Sequence, residues 1–243
     1  MPGSDEPLSK GRLRVGTSGY AYKEWKGSFY PEKLAESKML EFYSQRFSTV
    51  EINYTFYRLP SARTLEGWAP QTPEGFAFAL KGNQKITHVL RLRQAEALLR
   101  AFFEGAQPLA SAGRLGPVLF QLPPQFRADL AVLEEFLALL PRSLRFAMEF
   151  RHASWFTDAM LERLRARNVA LCVAETEDGR APLEATADFG YFRLRKENYE
   201  RGELAEWKKR FEEWQAGGRD LYVYFKHEEA GRGPAYAQAL LQA

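Results

Sequence analysis

Leu144-Arg-Phe-Ala-Met-Glu149-Phe-Arg151-His-Ala-Ser-Trp155-Phe-Thr-Asp-Ala-Met-Leu-Glu-Arg-Leu-Arg-Ala-Arg167-Asn-Val169-Ala-Leu-Cys-Val173 is the stretch that decides the fold. A short apolar strand, Leu144 to Glu149, gives way to helix-like spacing over Phe156 to Arg167. A second apolar run, Val169 to Val173, follows at once. Strand, helix and strand in so short a span make one βαβ unit, whose two strands run parallel.

The same alternation extends outward in both directions. Strand candidates precede this unit at Leu13–Thr17, Thr49–Asn53, Phe76–Leu80 and Pro117–Gln121, and follow it at Tyr191–Leu194 and Leu221–Phe225. Helix-like segments fill Ala35–Phe47, Arg91–Leu109, Leu130–Leu140 and Leu204–Ala216, with Ala235–Leu241 as a final helix packed outside. Eight such units in 243 residues match a closed barrel. The expected class is α/β, a single TIM-like (β/α)8 barrel with room for irregularity in its later units. A doubly wound open sheet is the alternative, because pattern alone does not prove closure. Residues 1–11 read as a flexible N-terminal lead and residues 12–243 as one barrel domain.

Composition narrows the function classes. A hydrophobic fraction of 45% and a charged fraction of 27% are ordinary for a soluble globular chain. No stretch approaches a membrane span of roughly 20 apolar residues, so no membrane partner is expected. Residues 1–9 lack the basic and apolar regions of a signal peptide, which gives a cytoplasmic location as the expectation. The lone cysteine, Cys172, lies in an apolar run and reads as a buried structural thiol. A formal charge of +3 is too small to demand a nucleic-acid partner. No Gly-x-Gly-x-x-Gly or Walker loop is present, so no nucleotide cofactor is indicated. Nothing in the pattern signals an oligomeric state.

The residues that carry chemistry stand at strand ends. Glu51 and Glu149 close two apolar strands, where a carboxylate is costly unless something binds or pairs it. Lys81, Gln121, Arg151 and Arg193 occupy similar places. Period-two alternation puts Glu51 with Asn53 on one face, Glu149 with Arg151, and Arg193 with Arg195. In a barrel, the loops Gly16–Pro31, Asn53–Pro60, Gln121–Pro124 and Arg151–Trp155 converge above them on the catalytic face. The candidates are therefore Glu51 and Glu149 as catalytic groups. Thr17, Ser18, Tyr20, Trp25, Asn53, Tyr57, Lys81, Gln121, Arg151, His152, Trp155 and Arg193 are the substrate-binding candidates. The competing reading is a hydrogen-bonded charge network that caps the barrel, with the aromatic rings packing loops.

Taken in order, Val15-Gly-Thr-Ser-Gly19 with Trp25 and Phe29-Tyr-Pro31, then Val50-Glu-Ile-Asn53 with Phe56-Tyr57 and Pro60, resemble the DUF72 family. The resemblance continues through Phe76-Ala-Phe-Ala-Leu-Lys81 with Ile86-Thr-His88, and Leu119-Phe-Gln-Leu-Pro-Pro124. Glu149-Phe-Arg-His152 with Trp155 and Tyr222-Val-Tyr-Phe225 complete it. Ordered matches run from Leu13 to Leu241, and the resemblance implies a TIM-like barrel with a polar mouth. Two segments depart from the family pattern. Lys226-His-Glu-Glu229 stands where an Asn- or Asp-bearing segment is usual, and Arg193-Leu-Arg-Lys196 where His-Gly often follows the arginine.

The surplus of cations at the strand ends points to an anionic small molecule, a phosphoester above all, and to hydrolysis or acid–base chemistry upon it. Nucleic acid is one such phosphate-bearing compound. A noncatalytic anion- or metabolite-binding protein is the opposing class. A glycoside-acting enzyme is a further alternative. It is less attractive because strands two and five of an eight-stranded ring stand roughly 10–13 Å apart. A divalent metal held by Glu51, Glu149 and a histidine would lead to metal-assisted phosphoester hydrolysis. His88, His152 and His227 lack zinc-motif spacing, and His88 reads as part of a turn and helix start.

Overall fold

The computed structural model describes residues 9–227 and 231–243. Most of the expected N-terminal lead, and Glu228 and Glu229 of the departing segment, lie outside the described residues. Among the described residues nine strands form: β1 (Leu13–Thr17), β2 (Thr49–Ile52), β3 (Ala77–Lys81), β4 (Leu115–Gln121), β5 (Phe146–Glu149), β6 (Val169–Thr176), β7 (Gly179–Arg180), β8 (Phe189–Leu194) and β9 (Asp220–Phe225). Eight of them follow the order β1-β9-β8-β6-β5-β4-β3-β2, all parallel, while β7 folds back antiparallel on β6. The sheet curls until β1 and β2 meet through a single bridge between Ser18 and Glu51, so the barrel is nearly closed.

Alternation divides each strand as the sequence requires. Val50, Ile52, Phe78, Leu80, Val118 and Phe120 point outward into the shell shared with the helices. Ala77, Ala79, Leu119, Ala147, Ala170, Cys172, Phe189, Tyr191, Tyr222 and Tyr224 fill the interior. The small residues lie mainly on β3, β5 and β6 and the large rings on β8 and β9, so volumes match across the barrel. Cys172 is buried there. Burial, then the field of Glu149, pushes its thiol far up, so it stays protonated and unreactive. Below, Arg145 donates to Asp220 Oδ2 (2.8 Å) and closes the floor.

The seam between β1 and β2 is stitched by a side chain. The Tyr43 hydroxyl accepts from the Thr17 backbone N–H (2.7 Å) and donates to the Thr49 carbonyl (3.0 Å). It stands where a ladder hydrogen bond would otherwise join the strands. Gly16 permits this approach, since a Cβ built on it would lie 2.0 Å from the Thr49 carbonyl oxygen and 2.8 Å from the Tyr43 hydroxyl. Higher up, the Gly19 N–H donates to the Glu51 carbonyl (2.8 Å).

The helices are α1 (Met39–Ser44), α2 (Tyr54–Tyr57), α3 (Ala62–Glu66), α4 (Glu96–Ser111), α5 (Leu130–Ala138), α6 (Asp158–Ala166), α7 (Arg201–Ala216) and α8 (Arg232–Gln242). Asp129 and Thr157 cap α5 and α6 through side-chain oxygens, and Glu200 with Glu203 forms a capping box on α7. Two connections are irregular. The helix expected from Arg91 starts only at Glu96, because Arg91, Leu92 and Gln94 take positive φ (48°, 70° and 48°) while Leu92 is drawn into the core. Between β6 and β8 the β7 hairpin and an irregular stretch stand in place of a helix, the irregularity foreseen for the later units. Among the described residues no helix is long and apolar enough to cross a membrane.

Candidate functional site

Register brings the strand-end polar residues to one level. Glu51 is paired across β2 and β3 with the inward Ala79, Gln121 lies beside Glu149 on β4 and β5, and Ala174 lies beside Arg193 on β6 and β8. Both carboxylates therefore point into the barrel, and both are wholly buried.

Glu51 takes three donors. Oε1 accepts from the Ser18 hydroxyl and from Arg193 Nη2 (2.9 Å), and Oε2 accepts from the Tyr191 hydroxyl (2.6 Å). Glu149 takes more. Oε2 accepts from Arg193 Nη1 (2.6 Å), while Oε1 accepts from Gln121 Nε2 (2.8 Å) and Arg195 Nη2 (3.1 Å) and lies 3.3 Å from Arg151 Nε. One guanidinium thus holds both glutamates, and Arg193 is itself only 1% exposed. The Asn53 side-chain amide completes the cluster by donating to Ser18 Oγ (3.1 Å).

Burial alone would push both carboxyls up. Arg193, with Ser18, Tyr191 and Lys81, outweighs it at Glu51 and holds that group below its ordinary value of 4.5. Arg193, Arg195 and Arg151 hold Glu149 far below the same value. Folded values below unfolded ones mean stability that is fully present above about pH 4.5 and is lost as the pH falls through the folded values. The stability gap between the wild type and Glu149→Gln, read from urea midpoints between about pH 6 and pH 3, is expected to shrink steadily below pH 4.5. A gap that stays constant over that window would show that Glu149 is not held ionised by its arginines.

Cations exceed carboxylates at this mouth. Lys81, Arg151, Arg193 and Arg195 surround Glu51 and Glu149. Beside them opens a cavity of about 410 Å³ whose charged lining is Arg151, Arg180 and Arg195 against Glu149 and Asp178, with Phe150 and Phe156 as apolar wall. A second hollow of about 210 Å³, lined by Tyr20, Tyr22, Asn53, Tyr54 and Trp68, lies on the β1–β2 side.

The other sequence candidates divide. Ser18, Asn53, Lys81, Gln121, Arg151 and Arg193 join the two glutamates at the mouth, and Tyr20 lines the smaller hollow. Thr17 is buried, its hydroxyl donating to the Gly19 carbonyl (2.6 Å), and Tyr57 is 69% exposed. Trp25 and Trp155 are core residues. Trp25 packs on Tyr22, Phe29 and Tyr30, while Trp155 packs at a tilt against Phe150 and donates to the Phe126 carbonyl (2.7 Å). His152 accepts from the Ser154 N–H (3.1 Å) and so starts the turn Ala153–Trp155.

Sequence reasoning missed Tyr191, Arg180 and His88 as members, and placed Arg195 on one face with Arg193 without giving it a role. Tyr191 holds Glu51, Arg195 holds Glu149, Arg180 walls the larger cavity from the β7 hairpin, and His88 stands near Lys81 and Arg151 rather than serving only a turn. A metal does not fit this donor set. Arg193 is hydrogen-bonded to both carboxylates, and among the described residues no three histidine, cysteine, aspartate or glutamate side chains form a metal cage.

Residues 14–243 match the sequence model described as "Protein of unknown function DUF72". UPF0759 protein YunF of Bacillus subtilis is 27% identical, over 95% of this chain and 94% of that relative. UPF0759 protein YecE of Escherichia coli is 34% identical over 54% of this chain and 47% of its own length. A solved DUF72 family protein from Thermotoga maritima superposes with a TM-score of 0.82 at 27% identity, covering 95% of this chain and 98% of that one. One from Enterococcus faecalis reaches a TM-score of 0.79 at 20% identity over 96% and 98%, a likeness of fold.

Proposed function

The chain belongs to the DUF72 family, and from that premise we propose that its barrel mouth is the site of an enzyme acting on a phosphate-bearing small molecule by hydrolysis or acid–base chemistry. The observation that carries this reading is the cation surplus. Arg193 is consumed by two buried carboxylates, whereas Arg151 and Arg195, which share Glu149, and Arg180 turn onto a cavity of about 410 Å³ where three guanidinium groups meet Glu149 and Asp178. Guanidinium groups bind phosphate oxygens with charge-assisted geometry. In this reading Glu149 is the anchor that aims Arg151 and Arg195, and Glu51 holds Ser18 and Arg193 in place. Glycoside hydrolysis is disfavoured, because it needs one carboxyl kept protonated and both are held ionised here.

Calorimetry with phosphorylated sugars, small phosphodiesters and a short oligonucleotide tests the reading. Phosphate-bearing compounds are expected to bind and their dephosphorylated analogues not to. Arg151→Ala is expected to weaken binding about tenfold, since one charge-assisted hydrogen bond is lost. Equal affinity for both sets, or no effect of Arg151→Ala, would overturn the assignment of the pocket. Binding without chemical change across the panel would make the protein a noncatalytic anion binder.

A further inference from the structure

Among the cations of the mouth, Lys81 is held differently. It ends β3, inward like Ala77 and Ala79, and is half-buried. Arg193, Arg195 and Arg151 each contact a glutamate, but among the described residues Lys81 Nζ has no carboxylate within ion-pair distance and no hydrogen bond. Its ammonium rests instead over the Phe56 ring, 4.1 Å from the centroid. Both nearby carboxylates are already taken by other donors, which leaves the Lys81 amine without an ion pair.

His88 stands edge-on to the same Phe56 ring, centroids 5.0 Å apart. Its Nδ1 is engaged with the Thr87 hydroxyl (2.8 Å), and Nε2 has no hydrogen-bond partner among the described residues. The π-turn Lys85–Val89 that presents His88 is a local irregularity of a kind frequent at functional sites. Burial and then Arg193 bring the Lys81 amine down to about 8, against the raising pull of Glu51 and Glu149. Burial, Lys81 and Arg151 lower His88 as well, keeping its imidazole neutral.

We infer that Lys81 is an amine nucleophile that condenses with the carbonyl carbon of a phosphorylated aldehyde or ketone, with His88 moving the protons. This rests on the phosphate reading of the same mouth for the second anchor of the ligand. The neutral amine attacks the carbonyl carbon; a C–N bond forms, the carbonyl π pair moves to oxygen, and that oxygen takes a proton. The carbinolamine then loses water as its C–O bond breaks and nitrogen, its attack proton removed through His88, forms a protonated imine. Amine, carbonyl and one proton from solvent, the one taken by the carbonyl oxygen, give protonated imine and water, the second hydrogen of the water being the amine proton passed on by His88, with no oxidation. The imine withdraws electrons from the adjacent carbon, which is the use of such a lysine in acid–base chemistry.

Borohydride trapping with glyceraldehyde 3-phosphate, followed by peptide mapping, tests the inference on the full chain. One dominant adduct is expected on the Lys81 peptide, absent in Lys81→Met and Lys81→Arg. Its initial rate is expected to rise through about pH 8, with Glu51 on β2, Glu149 on β5, Arg193 on β8, Lys226 after β9 and His88 as the charged or titratable neighbours. His88→Gln is expected to slow it on the order of a hundredfold, the usual share of one proton-transfer group. Lys81→Met removes no ion pair, so its urea midpoint is expected to fall far less than that of Arg193→Met, and lost labelling in the folded variant then reports chemistry. Adducts spread over surface lysines with Lys81 unmodified would overturn the inference. Unphosphorylated glyceraldehyde separates the two readings. Lys81 labelled equally fast by both aldehydes keeps the amine and sinks the phosphate anchor. Calorimetric binding of the phosphorylated aldehyde with Lys81 untouched does the reverse.

Discussion

Arg193→Met is expected to cost about 3–5 kcal/mol of folding stability, because it strands a buried carboxylate rather than merely deleting a contact. Arg193 is the ion-pair partner of Glu51 among the described residues, and Glu51 is wholly buried. Without the guanidinium, Glu51 keeps the Ser18 and Tyr191 hydroxyls and the field of Lys81, and burial then pushes its carboxyl upward. Glu149 suffers less, retaining Arg195 and Arg151. The asymmetry makes the prediction specific. Adding Glu51→Gln to Arg193→Met should restore a large share of the loss, of the order of 2 kcal/mol, whereas adding Glu149→Gln should restore little. Urea unfolding of the two double variants decides it. A loss below about 1 kcal/mol for Arg193→Met, or Glu51→Gln making that variant worse, would show that solvent or relaxation already satisfies the carboxylate.

The same buried cluster shows what a sequence can and cannot disclose. Glu51 and Glu149 were legible because a carboxylate inside an apolar strand breaks the pattern around it, and period two fixes which face it takes. Arg193 followed by the same rule. Tyr191 did not, since a tyrosine in Tyr191-Phe-Arg-Leu194 satisfies the apolar pattern, and only its alignment with Cys172 and Tyr222 turns the hydroxyl toward Glu51. Arg195 lies one residue past the end of β8, and alternation still carries it to the face of Arg193, but the pattern gave no sign that it reaches Glu149. His88 depends on a π-turn closed by the Leu90 N–H to the Lys85 carbonyl (2.8 Å), a geometry without a composition signature. Trp25 and Trp155 illustrate the converse. Aromatic residues in loops above a barrel suggest walls for a ligand, but the loops need a core of their own, and these indoles supply it.

Gly16→Ala is expected to cost about 3 kcal/mol or more, the upper end of what overpacking extracts from a close-packed site. Its added methyl would stand 2.0 Å from the Thr49 carbonyl oxygen, a backbone atom that moves only if β2 moves. Pushing β1 and β2 apart strains the Tyr43 bridge and the Gly19-to-Glu51 hydrogen bond (2.8 Å), and with them the contact between Ser18 and Glu51. Tyr43→Phe makes the informative comparison. It leaves the Thr17 N–H and the Thr49 carbonyl without the Tyr43 hydroxyl, at about 1–3 kcal/mol for each buried group left unpaired, but introduces no steric push. Both variants should therefore unfold at lower urea, while only Gly16→Ala should also weaken phosphate binding, because only it displaces Glu51 and the Arg193 that leans on it. If Gly16→Ala lost stability but bound phosphate as the wild type does, the seam would be a matter of folding alone, and the charge cluster would be positioned by β5, β8 and their own ion pairs.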